Sequence, residues 1–336
     1  MKGWFWAAVL TIAGLVYGCA AAPEAPVPTP TPAPLTSAPP VVSPASPLPA
    51  LKIDPERLFR HVQALNFERY RETDRDRARS YLVEQLQQTG WQTELQPFQG
   101  GVNVVARRSP RPPQIGAILL TAHYDTVAGS PGADDNASAV ATGLEIARLL
   151  GQQNTLRSLE IAFFDREEAG MVGSIAFTAK EDNLTNLAGV VNLEMLGYAC
   201  YQPGCQKYPA GLPITPPSDR GDFLGVIGDQ EHLPLLQAFQ ATDQPGLPPV
   251  ITLPIPLKGL LTPDVLRSDH APFWARNIGA VMVGDTANFR NPHYHQPSDT
   301  PDTLDRDFLA GSAQRVLEAL GMLLQTQTSL ATPLTR

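Results

Sequence analysis

An α/β domain of three layers, helices on both faces of a mostly parallel central sheet, is the fold this sequence predicts. Two observations point to it. Five continuous apolar runs, at 117–122, 159–164, 188–193, 223–227 and 280–283, lack the alternation of a strand wetted on one face; strands buried on both faces read this way. Stretches of helical spacing separate several of them, at 137–150, 173–180, 232–241 and 268–275. Apolar strands alternating with helices imply crossover connections, and those produce parallel pairing.

The elements follow in order. Lys2 precedes an apolar segment from Trp4 to Val16, which runs into Val16-Tyr17-Gly18-Cys19. A positive start, a short apolar core and a small residue before the cut describe a signal peptide over 1–19, too short to span a bilayer. Val-x-Gly-Cys also resembles a bacterial lipobox, which makes Cys19 the lipidated first residue of an exported protein anchored at the periplasmic or outer face of a membrane. Residues 20–50 are Pro, Ala, Thr, Ser and Val in low-complexity order. That composition cannot bury a core and reads as an extended tether. The remainder, 51–336, reads as one folded domain. Helices are expected over 57–70 and 75–88, paired strands at 91–97 and 102–107, and a final helix at 305–324. The Pro-rich stretches 204–221 and 246–264 read as loops.

Composition narrows the function. The 336 residues are 43% hydrophobic and 17% charged, with a net charge of −8 and no basic cluster. Nucleic acid is excluded as a partner by that balance, because backbone binding needs concentrated Lys and Arg. Cys200 and Cys205 flank a Pro-Gly turn. In an oxidising compartment they are expected to form a disulfide; a metal site there would lack two further soft ligands.

Functional groups in open α/β sheets collect beyond the C-terminal ends of strands. The run 117–122 ends in His123-Tyr124-Asp125. The imidazole suits zinc, and a carboxylate two residues on can take its other N–H. Asp135, in Gly132-Ala133-Asp134-Asp135-Asn136-Ala137-Ser138-Ala139, reads both as a helix cap and as a carboxylate placed to bridge two cations. After 159–164 come Glu167 and Glu168. Adjacent acids beside a buried strand need something to stabilise their charge, and neighbouring side chains point differently, so Glu168 can bind metal while Glu167 moves a proton. Glu194 closes the run 188–193, and His295, a better candidate than His293, follows 280–283.

Six segments, AHYDT, GADDNASA, FFDREEAG, VNLEML, SDHAPFW and YHQPSDT, occur in this order. Together they resemble the dizinc aminopeptidases of metallopeptidase clan MH, family twenty-eight in the usual numbering, with aminopeptidase Y and bacterial secreted leucine aminopeptidases as members. The likeness spans roughly 51–328 and implies the zinc-dependent exopeptidase fold with two Zn²⁺. It implies that Asp135 bridges both ions, that Glu168 and His295 complete one, and that His123 and Glu194 complete the other. Glu167 matches the general base, Tyr294 a tyrosine that holds the oxyanion in some members, and Asp269 an acid behind the ligands. The peptide after Asp135 is expected to be cis. Two positions depart from the pattern: Glu194 stands where aspartate is frequent, and Ala139 where glycine is.

The implied reaction is hydrolysis of the N-terminal bond of peptides with a free N-terminus, by a hydroxide shared between the metals with Glu167 as base. Membrane contact is expected only through the lipid anchor. Two alternatives remain open at this level: a single-zinc glutaminyl cyclase, whose counterpart of the Asp135 segment lacks DDNAS, and a non-catalytic binding lipoprotein, which would be expected to have lost ligands. Neither G-x-S-x-G nor HExxH occurs.

Overall fold

A computed structural model describes residues 48–108, 115–209, 212 and 217–332. The signal segment, Cys19 and nearly all of the tether lie outside the described residues. The folded part opens with α1 (Pro55–Ala64) and α2 (Glu72–Gln88). Asp54 caps α1 by accepting the amides of Glu56 and Arg57, which satisfies two otherwise orphaned donors. A hairpin follows, β1 (Gln92–Phe98) and β2 (Gly101–Arg107). Next come β3 (Ala117–His123), α3 (Ala139–Leu150), β4 (Ser158–Phe164), α4 (Val172–Thr178), β5 (Leu187–Glu194), β6 (Leu224–Asp229), α5 (Leu233–Gln240), β7 (Val250–Ile255), α6 (Ala271–Ala275), β8 (Ala280–Gly284) and α7 (Arg306–Gln325).

All eight strands form one sheet in the order β1-β2-β4-β3-β5-β8-β6-β7. The inner four, β4-β3-β5-β8, are parallel. Antiparallel pairing joins β2 to β4 and β6 to β8, so the sheet is mixed around a parallel centre. Period-2 alternation divides its side chains between two cores. Ile118, Leu120, Ile161 and Phe163 face a core with α1, α2, α3, α5 and α7, while Leu119, Ala162 and Phe164 face Phe177 of α4 and Phe273 and Trp274 of α6.

Three expectations change. The helix expected over 57–70 ends at Ala64, because the chain beyond it folds around Arg69, whose guanidinium donates to the Leu65 and Phe67 carbonyls. Residues 246–264 are not all loop, since β7 lies within them and pairs parallel with β6. Its Pro254 is tolerated because β7 is the sheet's edge, where a missing N–H breaks no second ladder. The helix expected over 268–275 shortens to Ala271–Ala275, because Ser268, Asp269 and His270 are committed to buried side-chain bonds. No helix among the described residues is long and apolar enough to cross a membrane. Cys200 and Cys205 are bonded to each other.

Candidate metal centre

The inner four strands end on one edge of the sheet, and each supplies ionisable groups there. His123 and Glu194 are the last residues of β3 and β5. Glu167 and Glu168 follow β4, His295 follows β8, and Asp135 lies in the turn between β3 and α3. His123 Nε2 stands 3.2 Å from Asp135 Oδ1 and 3.4 Å from Glu194 Oε1. His295 Nε2 stands 3.2 Å from Asp135 Oδ2 and 3.0 Å from Glu168 Oε2. Two donor trios therefore meet at Asp135, which lends one oxygen to each.

The donor set fits zinc. Tetrahedral zinc with bonds of about 2.0–2.1 Å spreads its ligand atoms about 3.3 Å apart, and the four gaps lie close to that. Asp135 Oδ1, Glu168 Oε1 and His295 Nε2 are sealed from solvent without a well-aligned hydrogen bond. Buried polar atoms are rarely left so; a cation held by the His123 trio would give Asp135 Oδ1 a partner, and one held by the His295 trio would do the same for His295 Nε2 and the Glu168 carboxylate. Another His/Asp/Glu group among the described residues, Asp229, Glu231 and His232, lies at the far end of the sheet, where Lys258 already pairs with Glu231.

Backbone donors place the carboxylates. The Asp299 carboxylate accepts the amides of Asp134 and Asp135 at 2.8 and 3.1 Å. The Asn136 side chain ties this turn to the end of β5, donating to the Leu193 carbonyl and accepting the Met195 amide. The Asp135–Asn136 peptide is cis. Asp125 serves the neighbouring loop: its carboxylate accepts the amides of Glu167 (3.0 Å) and Glu168 (3.3 Å). His123 Nδ1 lies 3.2 Å from the Asp125 carbonyl oxygen and 3.5 Å from its carboxylate. Ser268 donates to Glu194 Oε2 at 2.5 Å and accepts from Asn192 at 2.8 Å. Asp269 is buried against Ser174 and contributes to the negative field at Glu167. Tyr294 stacks on His295, centroids 3.7 Å apart.

Charge in this cluster is mutually compensated. Burial disfavours protonation of His123, but Glu194, Asp125 and Asp135 outweigh it and raise its pKa. Burial opposes protonation of His295 too, yet Asp135 and Glu168 bring it to about 10. Burial raises Asp135, and the two imidazoles reverse this and hold it below the usual carboxylate range. Burial and the Asp135 charge lift Glu168 to about 7. Glu167 is raised well above an ordinary carboxylate, by burial first, with His123 opposing and Glu194, Asp269 and Glu168 adding to it. Without a metal, protons hold these charges together, and a metal would displace them.

Some supporting residues escaped sequence reasoning. Ser268 and Asn192 had a signal, since Asn192 interrupts an apolar strand and Ser268 sits within the SDH segment. Arg69 had none. It is buried, and donates to the carbonyls of Tyr124, Pro131 and Gly132 around the Asp135 turn.

Comparison with known proteins decides the family. The model for peptidase family M28 matches residues 103–320, more than half of the chain. The chain belongs to peptidase family M28. It is 32% identical over 266 residues to the uncharacterized protein YfbL of Escherichia coli K12, covering 73% of this chain and 79% of that protein. A protein of Mycobacterium tuberculosis named probable lipoprotein aminopeptidase LpqL is 31% identical over 227 residues, covering 62% of this chain and 43% of LpqL. Among solved structures, the aminopeptidase from Aneurinibacillus sp. strain AM-1 superposes with a TM-score of 0.64 at 17% identity, covering 84% of this chain and 97% of that one. That last likeness establishes the fold.

Proposed function

We propose that this family member is a zinc-dependent aminopeptidase with a two-zinc centre, His123, Asp135 and Glu194 around one ion and Asp135, Glu168 and His295 around the other. The observation that carries the reading is the pair of donor trios hinged on Asp135 at spacings of 3.0–3.4 Å. When bound, the zinc supplies Lewis acidity toward the scissile carbonyl and acidifies water. The chain's own residues do the rest. Glu167 is buried with an oxygen 4.0 Å from His123 Nε2. From there it takes a proton from the attacking water and returns it to the leaving amine. Tyr294 donates to the oxyanion. The carboxylates that border the cleft attract an unblocked N-terminal amine, which makes the enzyme an exopeptidase.

A cavity of about 150 Å³ adjoins Glu194 and Tyr294, lined by Phe223, Val226, Leu253, Met282 and Phe289 among others. Its walls suit an apolar side chain at the substrate's first residue. The lipobox-like Val-x-Gly-Cys at Cys19, together with a relative named a probable lipoprotein aminopeptidase, supports an exported enzyme anchored to a membrane by lipid.

The test is to load the mature protein with zinc, count the metal, and offer unblocked, N-acetylated and N-terminal-glutamine peptides. Two zinc ions per chain, and free amino acid released from unblocked peptides only, are expected. One zinc with pyroglutamate as product would replace this reading with a cyclase, and zinc without turnover would replace it with a binding protein.

A further inference from the structure

The Tyr294 hydroxyl has a cationic neighbour. Arg267 Nη2 lies 3.3 Å from it, and Arg267 Nη1 donates to Asn288 Oδ1 at 3.0 Å. A guanidinium has donors and no acceptor, so the bond to Tyr294 runs one way, from the arginine N–H to the phenol oxygen. The phenol's own proton cannot be used on Arg267 and must find an acceptor elsewhere. Stacking on His295, with ring planes 19° apart, restrains the ring at the same time. The phenol is thus held through its ring by a metal-ligand residue and through its oxygen by Arg267.

The arginine springs from a fixed base. Ser268 bonds Glu194 and Asn192, Asp269 accepts from Ser174, and His270 Nε2 lies 2.7 Å from the Val265 carbonyl oxygen. Ser268, Asp269 and His270 are all buried. Three consecutive residues after Arg267 are therefore anchored behind the metal centre, one of them directly on a ligand residue.

We propose that Arg267 is a positioning residue that sets the Tyr294 hydroxyl as a one-way donor, its proton aimed at the oxyanion forming on the scissile carbonyl. The assignment rests on the aminopeptidase reading above. Removing one oxyanion donor costs about 10²–10³ in kcat, and misplacing a group by about 1 Å costs on the order of 10²; loosening Tyr294 falls at or below that range.

The test compares R267M, R267K, Y294F and the double variant R267M/Y294F on one unblocked peptide, with zinc content measured for each. A second readout is calorimetric binding of an α-aminophosphonic acid, whose tetrahedral anion mimics the transition state, against binding of the matching amino acid. R267M is expected to lower kcat at least about tenfold while KM stays within about twofold, and to weaken the phosphonate but not the amino acid. R267K, which keeps a donor for the phenol, recovers part of the rate, and R267M changes little more once Tyr294 is Phe. Losses that multiply in the double variant, or a rise in KM with kcat kept, would overturn the assignment by making Arg267 a substrate-binding group. If R267M loses zinc or fold, R267K decides: a full-rate loss with zinc retained and no recovery overturns the assignment, and partial recovery supports it. A wild-type protein that releases no amino acid would sink the aminopeptidase reading and this assignment together.

Discussion

A single methyl group at position 132 should cost both stability and metal. Gly132 sits at φ +61°, in the left-handed region, at the entrance to the turn that carries Asp135. An alanine Cβ there would fall 2.3 Å from the Asp135 carbonyl oxygen, 2.4 Å from Thr126 Cγ2 and 2.8 Å from Arg69 Nη2. The first is backbone, and the last is pinned by buried bonds to three carbonyls, so neither can swing away. The left-handed conformation costs an L residue about 1–2 kcal/mol, and forced overpacking another 1–3 or so. Relief requires the Asp135 segment to move. That disturbs the 3.2 Å approach of its carboxylate to both His123 and His295. Thermal unfolding of Gly132→Ala should show a loss of about 2–5 kcal/mol, and chelator competition should show zinc held at least about tenfold more weakly. Unchanged zinc retention in a clearly destabilised variant would refute the idea that this turn sets Asp135, and an unchanged melting temperature would refute the clash itself.

Three further outcomes are expected. Glu167→Gln should keep its zinc yet lose at least about a hundredfold in kcat, the low end of general-base contributions; metal analysis beside steady-state kinetics checks it. Ser268→Ala removes the hydroxyl on Glu194 and leaves the Asn192 amide without its acceptor, so zinc retention should weaken by about 10–100-fold while the His295 side is affected less. Reducing Cys200–Cys205 opens a loop with a sequence separation of 5, for which chain entropy gives about 2 kcal/mol; differential scanning with and without reductant should show a correspondingly small fall in melting temperature.

The parallel centre of the sheet was readable because burial on both faces leaves an uninterrupted apolar run, and the candidate ligands stood out because several of them lie at the end of such a run or a few residues beyond it. The chemistry is therefore visible where core and site share a boundary, as at His123, Glu168 and Glu194. Legibility failed for β7. An edge strand with Pro254 inside and Pro256 just beyond carries a weak periodic signal, and its pairing with β6 supplies what local pattern does not. It failed again at 268–270, where helical spacing is present but each polar side chain has a stronger buried bond to make. Arg69 acts on the Asp135 turn from a remote part of the chain, and nothing in its local sequence marks a partner so distant; Asp299 lies within YHQPSDT, but its bond to the Asp134 and Asp135 amides appears only in the fold. The sequence identified groups that could bind metal; the groups that hold them in register emerge only in three dimensions.

The same geometry dictates how metal-free protein should respond to pH. Taking zinc away leaves His123, Asp135, Glu167, Glu168 and Glu194 packed together, and protons must compensate. For His295 the folded pKa, about 10, exceeds the ordinary 6.5. A raised histidine contributes stability that is fully present below the unfolded value and is lost as pH rises through the folded one. His123 shifts the same way. Glu168, raised from 4.5 to about 7, also binds its proton more tightly in the folded state, so its ionisation removes stability between those values. Asp135 has the opposite sign, being lowered, but its window lies below its ordinary 3.8 and does not overlap. Above pH 7 both histidines still have protons to lose, and Glu167, raised well above an ordinary carboxylate, acts in the same direction. Chelated protein should therefore melt at progressively lower temperature from pH 7 to 9, whereas zinc-loaded protein, whose imidazoles carry metal instead of protons, should change much less. A melting temperature that held steady or rose in the chelated protein over that interval would mean that the imidazoles are neutral without metal, and that the carboxylates around them are not close enough to serve as common ligands.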